Sequence, residues 1–266
     1  MARCAATWKN LPVTELPRIV AFDLDDTLAP SKSPLDPRML AVFARLLERT
    51  SVAVISGGNF QQFESQLVSQ LDGIADITED LLGRLHLLPT CGTRYERREG
   101  GRWVTVYQEE LTEQERTGAL VALREEAERL ELWERETWGE ILEDRGSQIT
   151  FSALGQRAPV DAKHAWDPTG AKKSALRAAV AARLPGLEVR SGGSTSVDIT
   201  RRGIDKAYGM QKLVEYTGVP LSDMLFVGDR LDEDGNDYPV LALGVTCHAV
   251  TGWAETAEFV EALIAD

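Results

Sequence analysis

The chain has 266 residues, 43% apolar and 27% charged, enough for one large domain or two modest ones with a real core. Its 29 basic and 42 acidic side chains leave a formal net charge of −13, which argues against general binding to nucleic acid or to an anionic membrane surface. A phosphate site here must bring its own cations, from Lys, Arg or a metal.

Arg18 to Asp23 (RIVAFD) is an apolar run ending in acid, expected to form a buried strand. Pro37 to Thr50 carries Met39, Val42, Phe43, Leu46 and Leu47 at helical spacing, with Asp36 as cap and Pro37 in the first turn. Ser51 to Ile55 is a second strand, closed by Ser56-Gly57-Gly58, and Phe60 to Leu71 a second helix. Alternating strand and helix predicts a parallel sheet covered on both faces.

The middle of the chain changes character. Arg94 to Val106, turning at Gly100-Gly101, reads as a hairpin. Thr112 to Leu130 reads as a charged helix with a Thr112/Glu115 capping box. Gln148 to Ala153, Leu187 to Arg190 and Ser196 to Thr200 read as strands, Lys172 to Leu184 as a helix, and Pro159 to Gly170 as a loop. These mixed elements predict an α+β module at 91–200, inserted into a domain made of 1–90 and 201–266. The parallel pattern resumes with a helix at Tyr208 to Thr217 and strands at Met224 to Val227 and Val240 to Val245. Ala254 to Ala265 closes it as a helix.

Three odd cysteines, Cys4, Cys91 and Cys247, with no CxxC pair, suit free thiols in a reducing compartment. Met1 to Leu16 has no signal-peptide core, and no apolar run nears the ~20 residues of a membrane span, so a cytoplasmic location is expected.

Four pieces carry chemistry. In Asp23-Leu24-Asp25-Asp26-Thr27, Asp23 and Asp25 are two apart and share a face where a strand opens into a loop. Paired carboxylates at a strand's carboxyl end need a cation. Val227-Gly228-Asp229, running on to Gly235-Asn236-Asp237, closes another strand and offers hard oxygen ligands suited to Mg²⁺. Ser56 and Gly57 place a hydroxyl and N–H groups at a helix start, an anion cradle. Lys206 stands just before a helix. Taken singly, these are an acidic turn, a polar loop, a tight turn and a solvated lysine. No GxxxxGK or GxSxG motif competes, and His86, His164 and His248 are not spaced as a zinc site.

Together and in this order the pieces resemble the four motifs of the haloacid dehalogenase superfamily. The insert resembles the cap of its subclass IIB, and the fold implied is a Rossmann-like α/β core with an inserted α+β cap. The resemblance implies Asp23 as nucleophile, Asp25 as acid and base, Lys206 as charge stabiliser, and Ser56, Gly57 and Thr27 on phosphate. It implies Mg²⁺ on Asp23, the Asp25 carbonyl and Asp229, with Asn236 and Asp237 behind them.

Ile55 to Leu67, Cys91 to Thr93, Glu143 to Ser147, Phe151 to Gly155 and Gly192 to Asp198 further resemble eukaryotic-type phosphomannomutases. That likeness implies Arg145, Ser196 and Asp198 as cap residues holding a sugar phosphate, and a homodimer formed through the cap. The chain departs from the family at three places where arginine is expected. Lys32 stands after the first motif, and Gln156 (beside Arg157) and Lys163 stand in the cap. Lysine lacks the planar fork that arginine offers phosphate. The reading favoured is therefore a sugar phosphatase, with a phosphomannomutase-type phosphotransferase second and a catalytically inactive sugar-phosphate-binding module third.

Overall fold

The computed structural model describes residues 16–74, 76–192 and 195–265. Cys4, nearly all of the Met1 to Leu16 segment, and Gly193-Ser194 within the Gly192 to Asp198 motif lie outside them. The chain divides into two compact units. One runs to Gln108 and resumes at Ile204, and the other spans Glu109–Gly203.

The first unit is built on a seven-stranded sheet. In chain order its strands are β1 (Ile19–Phe22), β2 (Ser51–Ile55), β3 (Leu85–Leu88), β4 (Arg94–Glu99), β5 (Arg102–Gln108), β10 (Met224–Gly228) and β11 (Thr246–Ala249). The spatial order is β11-β10-β1-β2-β3-β4-β5. The first five in that order run parallel, and β4 and β5 add an antiparallel hairpin at the β3 edge. Residues of alternate parity supply two separate cores. Val20, Phe22, Val52 and Val54 pack on one face against Met39, Val42, Phe43 and Leu46 of α1 (Pro37–Arg49). Ile19, Ala21, Ala53 and Ile55 pack on the other with Met210, Leu213 and Phe226. Each large side chain fully buried this way stabilises the fold by about 1.5–3 kcal/mol. Asp36 caps α1 by accepting from the Arg38 N–H at 2.8 Å.

The second helix, α2, is continuous but not regular. It starts at Phe60–Phe63, widens into a π-turn at Glu64–Val68 and ends at Ser69–Leu71. A short α3 (Glu79–Leu82) leads into β3, and neither element was read from the sequence.

The second unit is a four-stranded antiparallel sheet in the order β6 (Leu142–Asp144), β7 (Gln148–Ser152), β9 (Ser196–Arg201) and β8 (Leu187–Ser191). Ile149, Phe151, Val189, Val197 and Ile199 share a core with Ala119, Ala122 and Leu123 of α4 (Glu113–Arg129). Leu176 and Val180 of α6 (Ala171–Arg183) complete it. The capping box at Thr112 is present in full.

Three expectations change. The hairpin assigned to the insert extends the first unit's sheet, because His86 and Leu87 of β3 pair with Arg97 and Glu96. Val240 to Val245 is not a strand. Pro239 starts a short helix, α8 (Tyr238–Ala242), and Gly244 at φ +87° ends it, so the edge strand begins only at Thr246. A short apolar run between Pro and Gly fits either element. Pro159 to Gly170 holds a helix, α5 (Val160–Trp166), with Asp161 in its first turn and Lys163 in its last.

Candidate active site

The site forms where β1, β2 and β10 end. Asp23 follows β1, and its N–H donates to Val227 O at 3.0 Å, so parallel pairing carries Asp23 to the level of β10's end. Asp229 follows β10 and Ser56 follows β2. Lys206 opens α7 (Lys206–Thr217), whose start is fixed by Asp205 accepting from the Tyr208 N–H at 3.0 Å.

Lys206 is fully buried, and its Nζ lies 2.7 Å from Asp23 Oδ1 and 2.5 Å from Asp237 Oδ1. Asp237 is equally buried, and its other oxygen accepts from the Arg230 N–H at 3.0 Å. Burial alone would push the ammonium down, but Asp23 and Asp237 outweigh it and hold Lys206 above the ordinary lysine range. Burial pushes the Asp23 carboxyl well up, Lys206 opposes that, and repulsion from Asp237 and Asp229 adds to it. Asp229 is raised by burial first and by Asp237 second.

One carboxylate oxygen each from Asp23, Asp229 and Asp237 lie within 4.8 Å of one another. Three carboxylates gathered around the Lys206 ammonium leave an excess of negative charge that a divalent cation would offset. Hard oxygen donors in that number suit Mg²⁺, and the residues present fit the ion. Asp237, expected behind the ligands, contributes one oxygen to this three-carboxylate group. Gly228 is required for this, since a Cβ there would lie 2.4 Å from Asp237 Oδ2.

The remaining expected residues divide. Thr27 is buried and its hydroxyl donates to Asp229 Oδ1 at 3.3 Å, so it steadies that carboxylate. Ser56 is buried with its hydroxyl oxygen accepting from the Gly58 N–H at 3.2 Å, and Gly57 lies between them. Asn236 is exposed in the turn before Asp237. The Asp25 carboxylate does not join the three-carboxylate group. It accepts from the Lys32 N–H at 2.8 Å, Gln62 Nε2 at 2.8 Å and Gln66 Nε2 at 3.2 Å. Lys32 thus reaches Asp25 through its backbone N–H, at φ +57°.

In the second unit, β7 alternates, and the residues opposite its apolar face form a polar patch. Thr150 pairs with Asp198 and Ser152 with Ser196 across the strands. Asp198 Oδ1 accepts from Thr150 Oγ1 at 2.7 Å and Gln148 Nε2 at 3.0 Å. The Ser152 and Ser196 hydroxyls lie 3.2 Å apart, and Gln156 Nε2 donates to Ser152 Oγ at 2.8 Å. Ser196 and Asp198 were expected here. Gln148, Thr150 and Ser152 were not, although their period of two was visible. Arg145 is paired with Glu143 at 2.8 Å, and Lys163 Nζ donates to Gln156 O at 3.3 Å.

Comparison with known proteins decides the family. The family model described as eukaryotic phosphomannomutase matches residues 122–266, more than half of the chain. The chain belongs to the eukaryotic phosphomannomutase family. It is 26% identical over 261 residues to a probable phosphomannomutase of Caenorhabditis elegans, covering 91% of this chain and 94% of that protein. It is 24% identical to the phosphomannomutase of Schizosaccharomyces pombe, covering 90% and 91%. Among solved structures, an IMP-nucleotidase of Plasmodium falciparum aligns with a TM-score of 0.69 at 12% identity, over 93% of this chain and 70% of that one. A haloacid dehalogenase-like hydrolase from Bacteroides thetaiotaomicron aligns at 0.60 and 16% identity, over 93% and 100%. At those identities the likeness concerns the fold, which is that of the haloacid dehalogenase superfamily. The protein is an enzyme of phosphatase or mutase type. Among the described residues, no helix is long and apolar enough to cross a membrane.

Proposed function

We propose that this member of the phosphomannomutase family is a Mg²⁺-dependent phosphatase of a hexose phosphate, acting through an aspartyl-phosphate on Asp23. The observation that carries the phosphoryl-transfer reading is the buried Asp23–Lys206–Asp237 group with Asp229 beside it. Asp23, Asp229 and Asp237 would hold the Mg²⁺, which when bound offsets charge between the carboxylates and the incoming phosphate.

Asp23 attacks phosphorus, and the bond to the sugar oxygen breaks as Asp25 gives that oxygen a proton. Lys206 and Ser56 face the charge that spreads over the phosphoryl oxygens. In the second step Asp25 takes a proton from water as the water oxygen attacks phosphorus, which frees Asp23 and yields inorganic phosphate. Arg145, Ser196 and Asp198 would hold the sugar phosphate, with Lys163 and Lys32 as weaker cations.

Hydrolysis is favoured over transfer to a second sugar by the missing guanidinium forks. At the two cap positions where the family resemblance calls for arginine, Gln156 donates to Ser152 and Lys163 to a carbonyl. A mutase must grip a bisphosphate in both orientations, and lysine grips it less rigidly. Membership of the phosphomannomutase family favours the second reading, a mutase. Incubation with Mg²⁺ and mannose-1-phosphate, with and without a hexose-1,6-bisphosphate, separates the two. Inorganic phosphate without isomer is expected. Hexose-6-phosphate that depends on the bisphosphate would overturn the phosphatase reading in favour of a mutase.

A further inference from the structure

Helix α2 carries glutamine at 62, 66 and 70, and all three side chains reach the segment that follows the nucleophile strand. Gln62 Nε2 donates to Asp25 Oδ2 at 2.8 Å. Gln66 Nε2 donates to Asp25 Oδ1 at 3.2 Å and to Ser33 O at 2.9 Å. Gln70 brackets Leu35, accepting from its N–H at 2.8 Å and donating to its carbonyl at 3.0 Å.

The helix is shaped for this. At 3.6 residues per turn, a side chain eight positions on would drift roughly 80° around a regular helix. The wider π-turn at Glu64–Val68 advances fewer degrees per residue and takes back part of that drift. Three glutamines at intervals of four therefore stay in one row. Gln66 is 1% exposed, and its Oε1 has no hydrogen-bond partner. Its amide cannot turn over without setting that oxygen against the Asp25 and Ser33 oxygens. A buried acceptor is thus left unsatisfied in order to aim the donor. Gly58 clears the path of the neighbouring rung, since a Cβ there would lie 2.4 Å from Gln62 Oε1.

We infer that Gln62 and Gln66 are positioning residues that aim the Asp25 carboxylate, with Gln70 anchoring the same segment, so that proton transfer to the leaving group depends on this row. The inference rests on the reading of Asp25 as acid and base. None of the three touches the phosphate in this assignment. Their effect must therefore show only where the leaving group needs a proton.

The test compares kcat/KM, which reports steps through departure of the leaving group, for mannose-1-phosphate and for p-nitrophenyl phosphate. The second has a leaving group that departs without acid help. Gln62→Met keeps the length and removes the donor, and Gln62→Glu sets a carboxylate against Asp25. Both are expected to lower kcat/KM for the sugar phosphate at least tenfold, Gln62→Glu the more, and for the aryl phosphate less than threefold. Equal losses on both substrates, or none on either, would overturn the inference. Gln66→Met should behave like Gln62→Met. If burial makes it unfold, the half-exposed Gln62 position still decides. Asp25→Asn is the control. If it shows the selective loss and the Gln62 variants do not, the row alone is wrong. If it shows no selective loss, the acid–base reading falls and the row with it.

Discussion

Replacing Lys206 by Met removes the cation between Asp23 and Asp237 while keeping the volume of the side chain. In metal-free protein two buried carboxylates then face each other, and one must take up a proton. From the ordinary carboxylate value of 3.8 to pH 7 is about three units. At about 1.4 kcal/mol per unit that is ~4 kcal/mol, within the 3–5 kcal/mol typical of a buried pair losing one member. At about 2–4 °C per kcal/mol, melting should fall by roughly 8–16 °C in chelator at pH 7. Held above the ordinary lysine range, wild-type Lys206 contributes in full at any pH below about 10 and loses that contribution only as pH rises further. Between pH 7 and 5 the wild type thus keeps this contribution. The variant's proton becomes easier to bind, so the gap should narrow to roughly 1–2 kcal/mol at pH 5. Saturating Mg²⁺ should recover part of the lost melting temperature, and kcat should fall by about 10²–10³. The measurement is a thermal melt at both pH values, with chelator and with Mg²⁺. A variant that melts within 2 °C of wild type in chelator, with no change of gap at pH 5, would refute the charge account of the site.

Asp23→Asn should abolish phosphate release while keeping the wild-type circular dichroism and a cooperative melt, since it removes one of three repelling carboxylates; retained turnover would rule out Asp23 as nucleophile. Gly228→Ala forces Asp237 aside and should weaken Mg²⁺ about 10–100-fold, read as the Mg²⁺ concentration for half-maximal activity. Arg145→Ala should raise KM for a sugar phosphate more than for p-nitrophenyl phosphate, and equal changes would remove Arg145 from substrate binding.

The sequence by itself determined the parallel strands and the placing of chemistry at their ends. An apolar run closing on Asp23 or on Gly228-Asp229 reports burial and its limit together. Helix ends were also local matters, settled by Asp36-Pro37 and by the Thr112/Glu115 box. Tertiary structure alone decided the pairing partners. Nothing within Arg94 to Gln108 says that this hairpin joins the edge of β3, because strand pairing depends on which edge is free. Short β3, α3 and α8 left signals too brief to choose an element. In the site, Asp237 became a member of the carboxylate group through a turn that closes on Arg230. Asp25 met Gln62 and Gln66 across a loop, under a π-turn that no side-chain pattern announces. Asp25 lies 37 and 41 positions from those glutamines and Asp237 lies 31 from Lys206, and the geometry of these contacts is fixed by packing around buried polar atoms that need partners.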